Sequence, residues 1–301
     1  MIIDSHQHVF WHGRNDQELI DDMKANGIDH SWLLTWEIPP DHDDKIYHSV
    51  LNPLHLRSDG THAGIPLSDL IKAYEINKKK LTIGYCPDPR LESASELFEA
   101  AVKMFDVKIC GEWKFRINLD DPCCLRLFEK AGELKCPVVL HLDVPWLLNS
   151  DGKREFQKNW FGGTIQNLDS ALLACPDVIF IGHGPGFWRE LSGDASESFE
   201  LYPNDRVTQG GNIQKLFEKH NNLFADLSAG SGLNAINRDK EHAKVFIENF
   251  SDRLLFGRDN YGSELIETIN ELELTESAKE KIFSINAMRL VKTNFKKSNS
   301  V

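Results

Sequence analysis

Apolar residues along the chain gather into eight short runs, at 2–5, 30–36, 81–86, 108–115, 137–142, 178–182, 223–227 and 253–257. Amphipathic segments lie between them, at 16–26, 67–77, 94–105, 122–134, 211–220, 243–250 and 264–272. Strands that are apolar without alternation are covered on both faces, so the pattern predicts a parallel sheet between helices. Eight such units predict a (β/α)8 TIM barrel in a single domain spanning 1–301. A doubly wound open sheet would carry a glycine-rich turn after its first strand, where this chain has His6-Gln7-His8. Long irregular segments follow the second, fifth and sixth strands, at 37–66, 143–162 and 184–210. In a barrel they emerge at the mouth where substrates bind.

Charge narrows the partners. Against 34 Lys and Arg stand 46 Asp and Glu, a formal net charge of −12 that repels nucleic acid and anionic membrane. No uncharged apolar run approaches the roughly 20 residues that span a bilayer. The opening Met1-Ile2-Ile3-Asp4-Ser5-His6 lacks a signal peptide's apolar core. Six cysteines without a Cys-x-x-Cys pair read as reduced thiols. The expectation is a cytoplasmic protein acting on a small molecule, with neither nucleic acid nor membrane as partner, and open to homo-oligomer formation.

The strand ends carry the candidate chemistry. His6 and His8 are two residues apart at the end of the first run, so both imidazoles face one space, half of a zinc-type site. His141 ends the fifth run, His183 follows the sixth and Asp259 the eighth. Val139, Ile181 and Gly257, two residues earlier, are expected to fill the interior below them. Two hydrogen-bonded histidines explain His-x-His alone, but three histidine-bearing strand ends and a carboxylate point to a metal site. In the fourth run, alternation sets Cys110, Glu112 and Lys114 on one inward face and Trp113 against the helices.

Taken together, Asp-x-His-x-His on strand one, His on five and six and Asp on eight resemble the amidohydrolase superfamily of TIM-barrel metal-dependent hydrolases. Gly182-His183-Gly184, Leu255-Phe256-Gly257-Arg258-Asp259 and Asn286-Ala287-Met288-Arg289-Leu290 are similar to its family 2 branch. The resemblance runs from the first strand to the last helix. Gly111-Glu112 also resembles the Gly-Glu of TatD-like nucleases, whose glutamate bridges two metals; the Gly-x-Lys-x-His of many family 2 members is not kept, since Phe115 and Arg116 follow Lys114.

The resemblance implies a divalent metal, zinc by default, as one or two ions. With two, His6, His8 and Asp259 hold one and His141 and His183 the other, with Glu112 between them. With one, His6, His8, His141 and Asp259 are the ligands and His183 polarises the substrate. Either way Asp259 takes the proton of a water whose pKa the metal lowers. Lys114, Arg116 and Arg258 are candidates to grip a substrate anion, and Trp146 and Trp188 to wall its pocket. Loop histidines His42, His48, His55 and His62 are further candidates, and Asp4 either orients a ligand or forms a barrel-floor salt bridge. The implied activity is hydrolysis of a small-molecule amide, lactone or carboxylic ester. Decarboxylation or hydration, and TatD-like phosphodiester cleavage, are the alternatives, and a closed coordination sphere would mean a non-catalytic metal protein.

Overall fold

A computed structural model describes residues 1–198 and 200–292. Eight parallel strands carry the fold: β1 (Ile3–Gln7), β2 (His30–Leu33), β3 (Leu81–Ile83), β4 (Cys110–Trp113), β5 (Val138–His141), β6 (Phe180–His183), β7 (Leu223–Asp226) and β8 (Leu254–Leu255). They pair in chain order as two sheets, β1-β2-β3 and β4-β5-β6-β7-β8. Hydrogen bonds also join the sheet edges. Lys108 N donates to Ile83 O (3.0 Å) and Tyr85 N to Ile109 O (2.9 Å); across the other seam Ser5 N donates to Phe256 O (2.9 Å).

Helices lie between the strands: α1 (Asp16–Ala25), α2 (Leu67–Asn77), α3 (Ala94–Phe105), α4 (Pro122–Glu133), α5 (Ile165–Ala174), α6 (Asn212–Lys219), α7 (Ala229–Asn237), α8 (Lys240–Phe250) and α9 (Glu264–Glu271). Local chemistry sets several of their starts. Asn15 accepts from Gln17 N and Glu18 N while Glu18 returns to Asn15 N, a capping box that opens α1. Pro122 at the first turn and the Asp121 side chain on Cys123 N open α4. Helices α5 and α7 fall where the apolar pattern had marked none.

Two apolar layers result. Inside the strands Ile3, Trp32, Leu34, Ile109, Val139, Ile181, Phe224 and Leu255 pack on one another, with Ala287 and Val291 among them. Outside, Trp113, Val138, Leu140, Phe180 and Ala225 meet the helices through Phe98, Phe128, Leu168 and Phe217. The rings of Trp113 and Phe180 both close edge-on onto Phe128, at 5.9 and 5.2 Å.

Alternation fails at one expected place. Cys110 belongs to the outer layer and Ile109 to the inner one, the reverse of the expected parity. The register of β4 against β5 shifts between Cys110 and Trp113, and this irregularity returns Glu112 to the interior side. Strand β1 shifts likewise between Asp4 and Gln7. All six cysteines are free, with Cys86 and Cys110 Sγ atoms 3.8 Å apart. The expected second strand also stops early. Trp36–Glu37 pairs antiparallel with Gly64–Ile65 instead, folding the long segment after β2 back on itself. Among the described residues no helix is long and apolar enough to cross a membrane.

Candidate metal centre

The strand ends deliver five donor side chains to one buried space. His6 and His8 come from β1 and the residue after it, Glu112 from β4, His183 from β6 and Asp259 from just beyond β8. Glu112 Oε1 lies 3.9 Å from both His6 Nε2 and His183 Nε2, and Oε2 lies 3.5 Å from His8 Nε2. Asp259 completes the ring, 3.4 Å from His8 Nε2 and 3.7 Å from His183 Nε2. The donors fall into two clusters that share His6, one with Glu112 and His183 and one with His8 and Asp259, each with its ligand atoms within 4.8 Å of one another. Among their atoms, His6 Nε2, His183 Nε2 and Asp259 Oδ1 are buried with no hydrogen-bond partner. Such atoms carry a desolvation cost until something fills the space between them.

Asp226, at the end of β7, aims two of these rings. Its Oδ2 meets His6 Nδ1 and its Oδ1 meets His183 Nδ1, each at 2.9 Å. With Nδ1 so engaged, each imidazole presents Nε2 to the centre, the usual work of an outer carboxylate. Ser228 adds its Oγ 2.8 Å from His183 Nδ1, and Trp188 Nε1 donates to the Asp226 carbonyl (3.0 Å). His8 is fixed separately, its Nδ1 2.8 Å from Leu34 O. Two glycines let β6 deliver His183. A Cβ at Gly182 would lie 2.4 Å from the Phe187 ring, and Gly184 turns the chain at φ +97°. Asp259 itself is in the left-handed region, φ 47°, held by its N–H on His6 O (2.8 Å) and its carbonyl under Trp11 Nε1 (2.9 Å).

Carboxylates dominate the charge around these imidazoles. Burial opposes protonation of His6, yet Asp226 and, further off, Asp259 and Glu112 lift it to about 9. Burial likewise opposes ionisation of Asp226, but the two imidazoles hold it far below the carboxylate range. Glu112 is held well below that range too: Lys114 and His141 outweigh its complete burial. Lys114 stays protonated by virtue of Glu112 despite burial, its Nζ 4.2 Å from the Trp36 ring centre and 5.4 Å from that of Phe161.

Several expected site residues are placed elsewhere. His141 lies in neither donor cluster: Nδ1 is 2.7 Å from Glu112 Oε1 and Nε2 3.0 Å from Asp143 Oδ2, so both nitrogens are already taken. Arg258 does not face the mouth. It is buried, with Nε on Asp4 Oδ2 (2.8 Å) and Nη1 on Asp22 Oδ2 (2.6 Å), which makes Asp4 a salt-bridge partner whose Oδ1 also accepts from the His6 N–H (3.2 Å). Trp188 is buried against Phe187 and Phe246, packing instead of walling a pocket. Trp146 is half exposed on a hairpin, its ring 5.1 Å from that of Phe156. Arg116 does flank the same aromatic ring as Lys114, 5.9 Å from the Phe161 centre, with Nη2 on Asn159 Oδ1 (2.9 Å). Of the loop histidines, His48 pairs with Asp43 (2.8 Å), His55 with Asp69 (2.5 Å) and His62 with Asn52 O (2.9 Å), so they fasten the loop. His42 is buried near Phe115.

Asp143 escaped the sequence reading, although its position two residues beyond His141 was a usable signal. Asp226, which ends the seventh strand, binds two of the rings through its carboxylate, and no local pattern in the sequence marks that role.

The chain matches no protein-family model and no curated protein. Solved structures do match it over nearly its full length. An uncharacterized TIM-barrel protein from Bordetella bronchiseptica is 15% identical, with TM-score 0.63 over 96% of this chain and 97% of that one. An amidohydrolase from Burkholderia multivorans with bound zinc is 12% identical, TM-score 0.62, covering 96% and 98%. A 2,6-dihydroxybenzoate decarboxylase from Rhizobium is 14% identical, TM-score 0.58, again over 96% and 98%. What the chain shares with them is the fold, an α/β architecture of the TIM-barrel type.

Proposed function

We propose that this chain is a metal-dependent enzyme of the amidohydrolase type, one domain on a closed eight-stranded barrel, that hydrolyses a carboxylic ester, lactone or amide of a small molecule. Bonds across both sheet seams support the closure. The observation that carries the function is the convergence of two donor triads on His6, in which His6 Nε2, His183 Nε2 and Asp259 Oδ1 are buried with no hydrogen-bond partner. His6, His8, His183, Glu112 and Asp259 would hold one divalent cation, zinc by the mixed His and carboxylate donor set. When bound, such a cation lowers the pKa of water towards neutrality and polarises a carbonyl.

The chain's own residues supply the rest. Asp259 Oδ1 is placed to take the water proton and return it to the leaving group. Asp226 keeps His6 and His183 in one tautomer throughout. His141, between Glu112 and Asp143, steadies Glu112. Lys114 and Arg116, both beside Phe161, draw in the anionic end of a substrate.

Decarboxylation is the second reading, favoured by that same pair of cations beside the centre and by the likeness to the Rhizobium decarboxylase. Elemental analysis of protein purified without chelator tests the metal. We expect about one ion per chain and a clear loss in Glu112→Gln. Metal-free protein whose melting temperature ignores added zinc would sink both readings. A panel of aryl esters, lactones and aromatic acids then separates acid release from carbon dioxide release.

A further inference from the structure

A cavity of about 250 Å³, with none of the five donors in its lining, is bounded by the hairpin residues Trp146 and Arg154 and by Arg189, Ser196, Gln166 and Asn212. Arg189 is 5% exposed. Its Nη2 donates to the carbonyls of Ala195 and Ser198, but its Nε is buried with no partner. No described carboxylate forms an ion pair with it. Glu190, which also lines the cavity, has its Oε2 on Asn212 Nδ2 (2.6 Å). Arg154, on the exposed strand Arg154–Phe156, forms no ion pair with a described residue either.

Two guanidinium groups thus line one small cavity, with a single carboxylate against them, in a chain whose acids outnumber its bases. A buried cation is costly unless an anion or a full set of acceptors compensates it; Glu190 acts on Arg189 only through space, and the Arg189 Nε has no acceptor. The planar fork of guanidinium matches two oxygens of a carboxylate or phosphate. Sites for drug-sized ligands measure roughly 300–1,000 Å³, so the volume suits something smaller.

We propose that this cavity is a binding site for a small oxyanion, held by Arg189 and Arg154 with Gln166 and Ser196 as neutral donors. Its lining includes none of the five donors, so the proposal does not depend on the metal chemistry. Equilibrium dialysis of the protein as isolated, at constant ionic strength, with radiolabelled inorganic phosphate and with radiolabelled succinate tests it. At least one of the two binds saturably, and Arg154→Gln or Arg189→Lys weakens that binding about tenfold while metal content stays unchanged. Tighter binding of phosphate marks a phosphate site; tighter binding of succinate marks a carboxylate site. Arg154 is on an exposed strand, so its variant carries the test even if Arg189→Lys folds poorly. Binding of neither anion, or binding unchanged in both variants, overturns the proposal.

Discussion

Two layers of side chains stand one above the other on the same strands, and opposite forces hold them. The lower layer, Ile3, Trp32, Ile109, Val139, Ile181, Phe224 and Leu255, is complete in itself because apolar contact needs no further partner. In the upper layer His6, His8, Glu112 and His183 are buried and Asp259 is partly exposed, and polar atoms are left unmet. Only two residues separate Ile181 from His183 and Phe224 from Asp226. The step from one layer to the next is therefore a step from stability to affinity for something absent from the chain.

Changes in the two layers should have separable effects. The largest belongs to Asp259→Asn, which should cut turnover by about 10²–10⁴-fold through loss of the proton acceptor, with an unchanged circular dichroism melt. Retained turnover would remove Asp259 from the chemistry. Next, Ile181→Ala should cost about 2–5 kcal/mol in urea unfolding while leaving metal content alone. A drop in metal content there would mean that the layers are not independent. Asp226→Asn should weaken metal binding by about 10–100-fold in competition with a chromophoric chelator, because His6 and His183 lose their shared clamp. Unchanged affinity would show that the rings are aimed by packing alone.

The smallest effect sharpens the contrast between matched and unmatched burial. Asp226 is buried between two imidazoles and held low, whereas burial and then repulsion from Asp88 push Glu37 up to about 7. An acid whose folded pKa exceeds its unfolded value, 4.5, favours the folded state while protonated. Its contribution is full below 4.5 and is lost as pH rises to about 7. Discounted for partial exposure, wild type should lose about 1–2 kcal/mol more than Glu37→Gln between pH 5 and 8 in urea titrations. Equal losses would show that Glu37 is not destabilised by its surroundings.

Legibility in the sequence varied with the range of the interactions. The strands and most helices could be read because apolar periodicity is local: 67–77 and 94–105 match α2 and α3 end to end. Donor types at strand ends could be read as well, since a histidine after an apolar run is visible in one dimension. Face assignments failed where a register shift intervened, as at Cys110, because a bulge changes parity without changing composition. The pairing of Arg258 with Asp4 and Asp22 joins positions 254 and 236 residues apart, and no local pattern encodes it. A guanidinium near a strand end reads the same whether it faces the mouth or the helices.

By itself the sequence determined the α/β order, the apolar layers and which metal-competent residues reach the strand ends, because burial and alternation act over a few neighbouring residues. Tertiary structure decided which of those residues meet. It joined Glu112 to the β1 and β6 histidines, gave two rings to Asp226, set His141 between two carboxylates and left the Arg189 Nε without a partner. Those outcomes depend on register, on side-chain direction and on partners scores of residues away, which are properties of the folded chain as a whole.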